Sequence, residues 1–489
     1  MMKSFTARWG LILGLFLAPV ASAQDAHYWT QQFGNRAWLL GGAFVGNPDD
    51  ISAVYYNPGA IALLDSPELE LTGSVYELTR LRVENGLGPG RDITLTRTDA
   101  LPSLIAGSAQ FGFLGKSKLA YSLITRQSFS FRLESRETIP GAELESLPGL
   151  DQLAADASLD ENVGEYWAGL TWAYPLGEHL GVGITGFGAW RDHETRTQVL
   201  AQGFGSDGRT LLATLGRDFN LHHVRLLAKL GLSYQNGPWA AGLAVTTPSL
   251  AIWGTAQAGY ERAMNEQGFE LTSIPTPVFN FQDSLSPEFR SPWSLALGIS
   301  RSLGDFTLHL AAEGFARQTP FKLIDSDPFS PQGSPEVIDP DFYFGLAPVI
   351  NVALGAEQRL GEKVRAYVSA HTDFSAVTQT PDRNALLAGW DIYHLSFGVH
   401  FTAGRSRITV GTNVAMGAQN TTRIDEAFAE AGLPMPAGDQ RIRFFQGTLI
   451  IGASFELSEQ KESAGEPGEP DDTQASARSQ TWSHVSPVR

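Results

Sequence analysis

The chain has 489 residues, no cysteine, 51 glycines and a formal charge of −17, with only 18% of its residues charged. The missing cysteine excludes a disulfide framework, a thiolate metal site and lipid attachment at an N-terminal cysteine. The acidic balance excludes a nucleic-acid surface that works by neutralising phosphates.

At the N-terminus, Lys3 and Arg8 flank the start of a short apolar run, Trp9 to Val20, and Ala21-Ser22-Ala23 follows. This is the pattern of a secretory signal peptide over 1–23, with cleavage before Gln24. The run is shorter than the ~20 residues a spanning helix needs, and no later stretch reaches that length and apolarity. An exported chain without a helical span is periplasmic, secreted or a barrel of the outer membrane. Residues 24–67 then form a compact segment rich in Gly, Asp and Pro.

From residue 68 the apolar period is two. Tyr393, Leu395, Phe397, Val399 and Phe401 alternate with His394, Ser396, Gly398, His400 and Thr402; Val224 to Ser233 and Phe306 to Glu313 read the same way. Such segments carry one apolar and one polar face. About fourteen strands are predicted, near 68–82, 98–112, 117–134, 162–175, 178–198, 217–235, 238–258, 290–303, 305–318, 348–360, 363–377, 391–403, 406–419 and 442–457.

Tight connections lie at Gly115-Lys116, Leu176-Gly177, Asn236-Gly237, Leu303-Gly304, Gly361-Glu362 and Gly404-Arg405. Long ones lie at 135–161, 199–216, 259–289, 319–347, 378–390 and 420–441. Alternating short turns and long loops predict an all-β, antiparallel transmembrane barrel over 68–457, its apolar face turned to lipid and its polar face to the lumen. By that asymmetry the short turns and both termini are periplasmic. Trp172, Tyr174, Tyr234 and Trp239 fall near one rim and Trp190, Trp293 and Tyr393 near the other, as aromatic girdles do. The final segment, 458–489, is polar, with too little apolar content to order itself, and reads as a flexible tail.

The stretch Gly34 to Leu64 carries Asp49-Asp50, Ser52 and Asn57-Pro58-Gly59 before small and apolar residues. It resembles the N-terminal hatch of the FadL/TodX family of outer-membrane transporters for hydrophobic compounds, with Gly59 where that family has alanine. The resemblance covers about a tenth of the chain directly, and the predicted strand count agrees with it. It implies an N-terminal plug (24–67) inside the barrel and passive uptake of long-chain fatty acids or aromatic hydrocarbons. It further implies capture by extracellular loops, a site beside the plug, and sideways release through a kink in the third strand. The implied partners are an apolar small molecule, outer-membrane lipid and lipopolysaccharide, and the barrel-assembly machinery. No cofactor and no enzymatic reaction are implied. The alternative is a structural or adhesive barrel that transports nothing.

Several groups have the chemistry such a site needs. Arg225, Lys229 and Arg365 fall on the polar phase of their strands, either holding an anionic headgroup or joining a lumen network with the acids there. Phe279, Phe281, Phe342 and Phe344 sit in predicted loops, either as an apolar capture surface or as packing of a lid. Leu144, Leu147, Leu150 and Leu153 recur every third residue and predict a short amphipathic helix. Gly181-Val-Gly183-Ile-Thr-Gly186 spells a dinucleotide fingerprint, but it lies within a predicted strand rather than before a helix, so glycines of a packed wall explain it. The histidines show no paired metal-ligand spacing and read as lumen-facing polar residues.

Overall fold

The computed structural model describes residues 26–65, 67–86, 90–109, 111–141, 149–268, 276–377, 389–421 and 440–457; the expected signal peptide and the polar tail lie outside them. The strands are β1 (Glu68–Glu84), β2 (Ile93–Ala109), β3 (Lys118–Pro140), β4 (Gln152–Pro175), β5 (Leu180–Phe204), β6 (Thr210–Asn236), β7 (Trp239–Thr246), β8 (Leu250–Gln267) and β9 (Val278–Leu285). They continue with β10 (Ser294–Leu303), β11 (Phe306–Phe315), β12 (Gln318–Ile324), β13 (Phe342–Leu346), β14 (Val349–Arg359), β15 (Val364–Asp373), β16 (Ile392–Ala403), β17 (Ser406–Thr421) and β18 (Gln440–Glu456).

Fourteen of them close a ring of antiparallel neighbours: β1 to β7 in order, then β10, β11, β14 to β18, with β18 pairing back onto β1. β8 continues the seventh wall strand past a break and pairs with the far half of β6, and β9 pairs with β8. All fourteen predicted wall strands are present. The pleat sorts side chains as the alternation requires: Leu226, Leu297, Leu310, Leu354 and Leu395 are exposed outside, while Arg225, His309, Asn351, His371 and Ser396 are buried inside. Trp172, Tyr234, Trp239, Trp190, Trp293 and Tyr393 all face outward, joined by Trp253. A ring that pairs its strands with one another and turns an apolar exterior outward is suited to span a membrane. The short ends are tight, as at Gly237, whose φ of 54° lies in the left-handed region that favours glycine.

Three predicted loops are largely strand in their described residues; in 259–289 these are the end of β8 and all of β9. β3 and β4 run on to 140 and from 152, and β5 and β6 meet across a turn at 205–209, so 199–216 is strand on both sides of a short turn. The amphipathic helix expected around Leu144–Leu153 is not formed in its described part: Leu153 lies in β4 opposite Gly203. Past Trp190, β5 continues for fourteen residues, roughly 45 Å at ~3.3 Å per residue. One side of the barrel therefore stands well clear of the apolar band, with Leu153, Val199, Leu211 and Leu215 on its buried inner face.

Two bodies of structure fill the ring. Residues 26–65, with short helices α1 (Asn35–Leu39) and α2 (Ala53–Tyr56) and a 3-10 turn at Pro58–Leu63, contact inward faces all around the wall. Arg36 bonds Glu357 of β14, the amides of Tyr28 and Trp29 bond Asp373 of β15, and Asn57 bonds Leu232 of β6. Toward the loop end, β12 and β13 form a two-stranded sheet whose Phe321, Phe342 and Phe344 are buried against Phe219 and Phe289. An N-terminal core and a loop-end core thus stack along the barrel axis.

Candidate functional site

The N-terminal segment is seated by a close backbone fit. Asn57 donates from Nδ2 to the carbonyls of Val45 (3.1 Å) and Leu232 (2.9 Å), and its Oδ1 accepts from the Gly59 amide (3.2 Å). Pro58 opens the 3-10 turn, where no amide is needed. A Cβ on Gly59 would lie 2.7 Å from the carbonyl oxygens of both Gly181 and Gly231. Conversely, a Cβ on Gly183 would meet the Pro58 carbonyl at 2.4 Å. Gly181 and Gly183, the first glycines of the dinucleotide lookalike, are therefore the floor on which this turn rests. Asp49 pairs with Arg36 at 2.7 Å, and Asp50 accepts from the Ser52 amide at 2.9 Å.

Between the two cores lies a cavity of about 70 Å³. Its apolar surfaces are Tyr55, Trp167, Leu227, Phe289 and Phe315, and its charged groups are Arg126, Glu165, Arg225, Lys229 and Glu313. Both acids are hydrogen-bonded through both oxygens. Glu165 accepts from Trp167 (2.7 Å), Arg225 (2.5 Å) and Arg191 (3.0 Å); Glu313 accepts from Trp29 (2.9 Å) and Ser294 (2.7 Å).

The cations differ. Arg225, 1% exposed, is held by Glu165 and by the Phe289 ring. Lys229, 3% exposed, has no ion pair among the described residues, and its Nζ stands 4.5 Å from the centre of the Tyr55 ring. Arg126 likewise has no carboxylate within ion-pair distance among the described residues; it donates to the Tyr28 carbonyl at 3.0 Å and faces the Trp167 ring. Burial pushes the Tyr55 phenol up to about 12, against the pull of Arg126, so its hydroxyl stays a donor at neutral pH. Two under-neutralised cations and a phenol among aromatic walls can hold a molecule with an anionic end and an apolar body.

Of the predicted cations, Arg225 and Lys229 meet at this cavity, while Arg365 does not. Arg365 pairs with Glu357 (2.9 Å) and lies 3.7 Å from Asp49, in the network that anchors Arg36. Of the aromatics, Phe279 on β9 is 71% exposed and Phe281 is also exposed, whereas Phe342 (5%) and Phe344 are buried under the loop-end sheet.

Arg126 was not among the predicted residues. The sequence signal for it is the apolar doublet Leu123-Ile124, which breaks the alternation. At that point β3 bulges between Thr125 and Gln127 against β4. There the wall also loses a ladder: β2 and β3 pair only from Leu104↔Ile124 to Ala109↔Leu119. Beyond that rung a second, smaller cavity of about 30 Å³ is lined by Glu77, Leu101, Arg126, Gln127 and Ser128. It shares His27, Arg126 and Gln127 with the main cavity.

No family model and no curated protein matches the chain. Among solved structures, the chain aligns with a deltaS2S3 mutant of the TodX monoaromatic hydrocarbon channel at TM-score 0.60 and 12% identity, over 88% of this chain and 100% of that one. A Pseudomonas aeruginosa FadL homologue aligns at 0.54 and 11%, over 88% and 100%. The Ralstonia pickettii toluene transporter TbuX aligns at 0.53 and 14%, over 87% and 98%. The fold is the one these channels share.

Proposed function

We propose that the chain is an outer-membrane channel for passive uptake of hydrophobic molecules, and that it favours those with an anionic end, such as long-chain fatty acids. The observation that carries this reading is the cavity between the N-terminal segment and the loop-end sheet, joined through Arg126 and Gln127 to the unladdered wall between β2 and β3. The fold shared with hydrocarbon and toluene channels supports it.

In this account residues 26–65 are the plug that denies water a straight path. Exposed Phe279 and Phe281 at the loop end offer a first apolar contact. The cavity then receives the molecule, its anionic end on Lys229 and Arg126 and its body against Tyr55, Trp167 and Phe289. Exit between β2 and β3 delivers it into the bilayer, because an apolar body gains nothing from release into water. Arg225 holds Glu165 and shapes the wall.

The test is uptake of labelled palmitate and of toluene by cells that lack other carriers, with and without the protein. Faster uptake of either compound with the protein present is expected. No gain for any member of a broad apolar panel would remove transport and leave a structural barrel.

A further inference from the structure

The wall is interrupted a second time, where the seventh and eighth wall strands both break. β7 pairs with β10 as far as the rung Thr246↔Ser294, and β8 pairs with β9 only from Ala256 outward. Across the stretch between these ladders, Ser249 and Ser291 make the joining bonds: the Ser291 amide donates to Ser249 Oγ at 2.8 Å, and the Ser249 amide to the Ser291 carbonyl at 3.4 Å.

The cause lies on the lumen side. Residues 286–290 leave the wall and turn inward, where Pro287 bridges to Ile324 and the Glu288 amide donates to the Leu323 carbonyl at 2.9 Å. The loop-end sheet takes the partner that β8 would otherwise have. β8 keeps its pairing to β6, Leu226↔Leu250, Arg225↔Ala251 and Val224↔Trp253, and has no ladder on its other edge until Ala256.

Unpaired backbone facing hydrocarbon is costly, so the composition here is telling. Pro248, Pro287 and Pro292 bring no amide hydrogen that would need a partner. The outer surface is apolar on both flanks, with Leu250 (65% exposed), Ile252, Trp253, Trp293 and Leu295 turned out. On the inner side, Thr246, Phe289, Ser291, Pro292 and Ser294 line the same cavity as Lys229 and Arg126. A short unladdered stretch of wall is all that separates the cavity from lipid-facing side chains.

We infer that this stretch is a second lateral opening, through which single-chain amphiphiles dissolved in the bilayer pass directly into the cavity without crossing the loops. The inference rests on the channel reading above and adds to it a route from the membrane inward. The inturned segment 286–292 is its gate, and the Ser249–Ser291 pair is the latch.

The chain has no cysteine, so a latch can be built cleanly. The Ser291 amide lies 2.8 Å from Ser249 Oγ, which brings cysteines at the two positions within disulfide reach. The full chain carrying Ser249→Cys and Ser291→Cys is reconstituted in vesicles whose bilayer already contains diazirine-bearing hexadecanoic acid. Brief illumination and mass spectrometry then report adducts on the lumen residues Tyr55 and Trp167. Early adduct yield should fall about fivefold or more on oxidation and return with reductant, as expected when a gate limits access. If the pair does not oxidise, Ser291→Trp fills the same space and should give the same loss. Equal yields in oxidised and reduced protein, or in Ser291→Trp and wild type, would overturn the second opening while leaving the channel standing. No lumen adduct in wild type at any time would overturn the channel reading, and this inference with it.

Discussion

Asn57 and Leu232 join the N-terminal segment to the wall: the Asn57 side-chain amide donates to the Leu232 carbonyl at 2.9 Å while the same side chain caps Gly59. The turn is held by its backbone fit as much as by this bond. Gly59→Ala therefore should not be neutral, although it restores the Asn-Pro-Ala form that the resembling family uses. The added Cβ meets two carbonyl oxygens at 2.7 Å. Asn57→Ala should cost about 2 kcal/mol, the scale of buried carbonyls left without donors. Thermal unfolding in detergent checks both, and unchanged midpoints would mean the seat is looser than described.

Removing the segment should open the barrel. Deletion of residues 26–60 takes away the groups that bond Glu357, Asp373 and Leu232 but none of the wall ladders. The truncated protein should fold and conduct ions in planar bilayers where the full chain is nearly silent. A truncated protein that folds and stays closed would show that these residues do not block the lumen.

The cations should separate by role. Lys229→Ala and Arg126→Ala should each weaken palmitate binding about tenfold or more, the loss of one charge-assisted bond of ~1.5–3 kcal/mol, and leave a neutral hydrocarbon of similar size nearly unaffected. Arg365→Ala should leave both unchanged, because its charge is spent on Glu357 and Asp49. Arg225→Ala should lower stability by about 3 kcal/mol, because Glu165 loses its shortest partner in a buried site. Isothermal titration and unfolding curves on the four variants decide this. Equal losses for charged and neutral ligands would dismiss the headgroup assignment.

Orientation is open to a labelling test that uses the absence of cysteine. Ser206→Cys sits in the 205–209 turn at the loop end, and Glu362→Cys sits in the tight turn between β14 and β15. A membrane-impermeant maleimide added to intact cells should label the first and spare the second. The reverse pattern would invert the barrel.

The wall was legible because a lipid-facing strand alternates apolar and polar side chains, so the wall strands carry that signature over most of their length. What the alternation hides is where a strand stops. Val199, Ala201, Leu211 and Ala213 continue the apolar inner phase far past the girdle at Trp190, and strands trimmed to a membrane's thickness miss them. Of the leucines that recur every third residue, Leu153 lies in β4, where pairing across 152–161 replaces the expected helix. Burial of Phe342 and Phe344 was one of two open readings, because an aromatic run looks the same whether it packs under a lid or faces water. Arg126 was hidden by the bulge that makes it interesting: once phase slips at Ile124 and Thr125, counting by two no longer tells inside from outside.

The central claim is that an anionic amphiphile occupies the cavity between plug and loop-end sheet. The most direct measurement is an experimental structure of the protein equilibrated with palmitate in lipid nanodiscs. The account predicts the carboxylate within bonding distance of Lys229 Nζ or the Arg126 guanidinium, with the acyl chain against Tyr55, Trp167 and Phe289. A palmitate found only on the outer wall, with the cavity holding water or nothing, would contradict it.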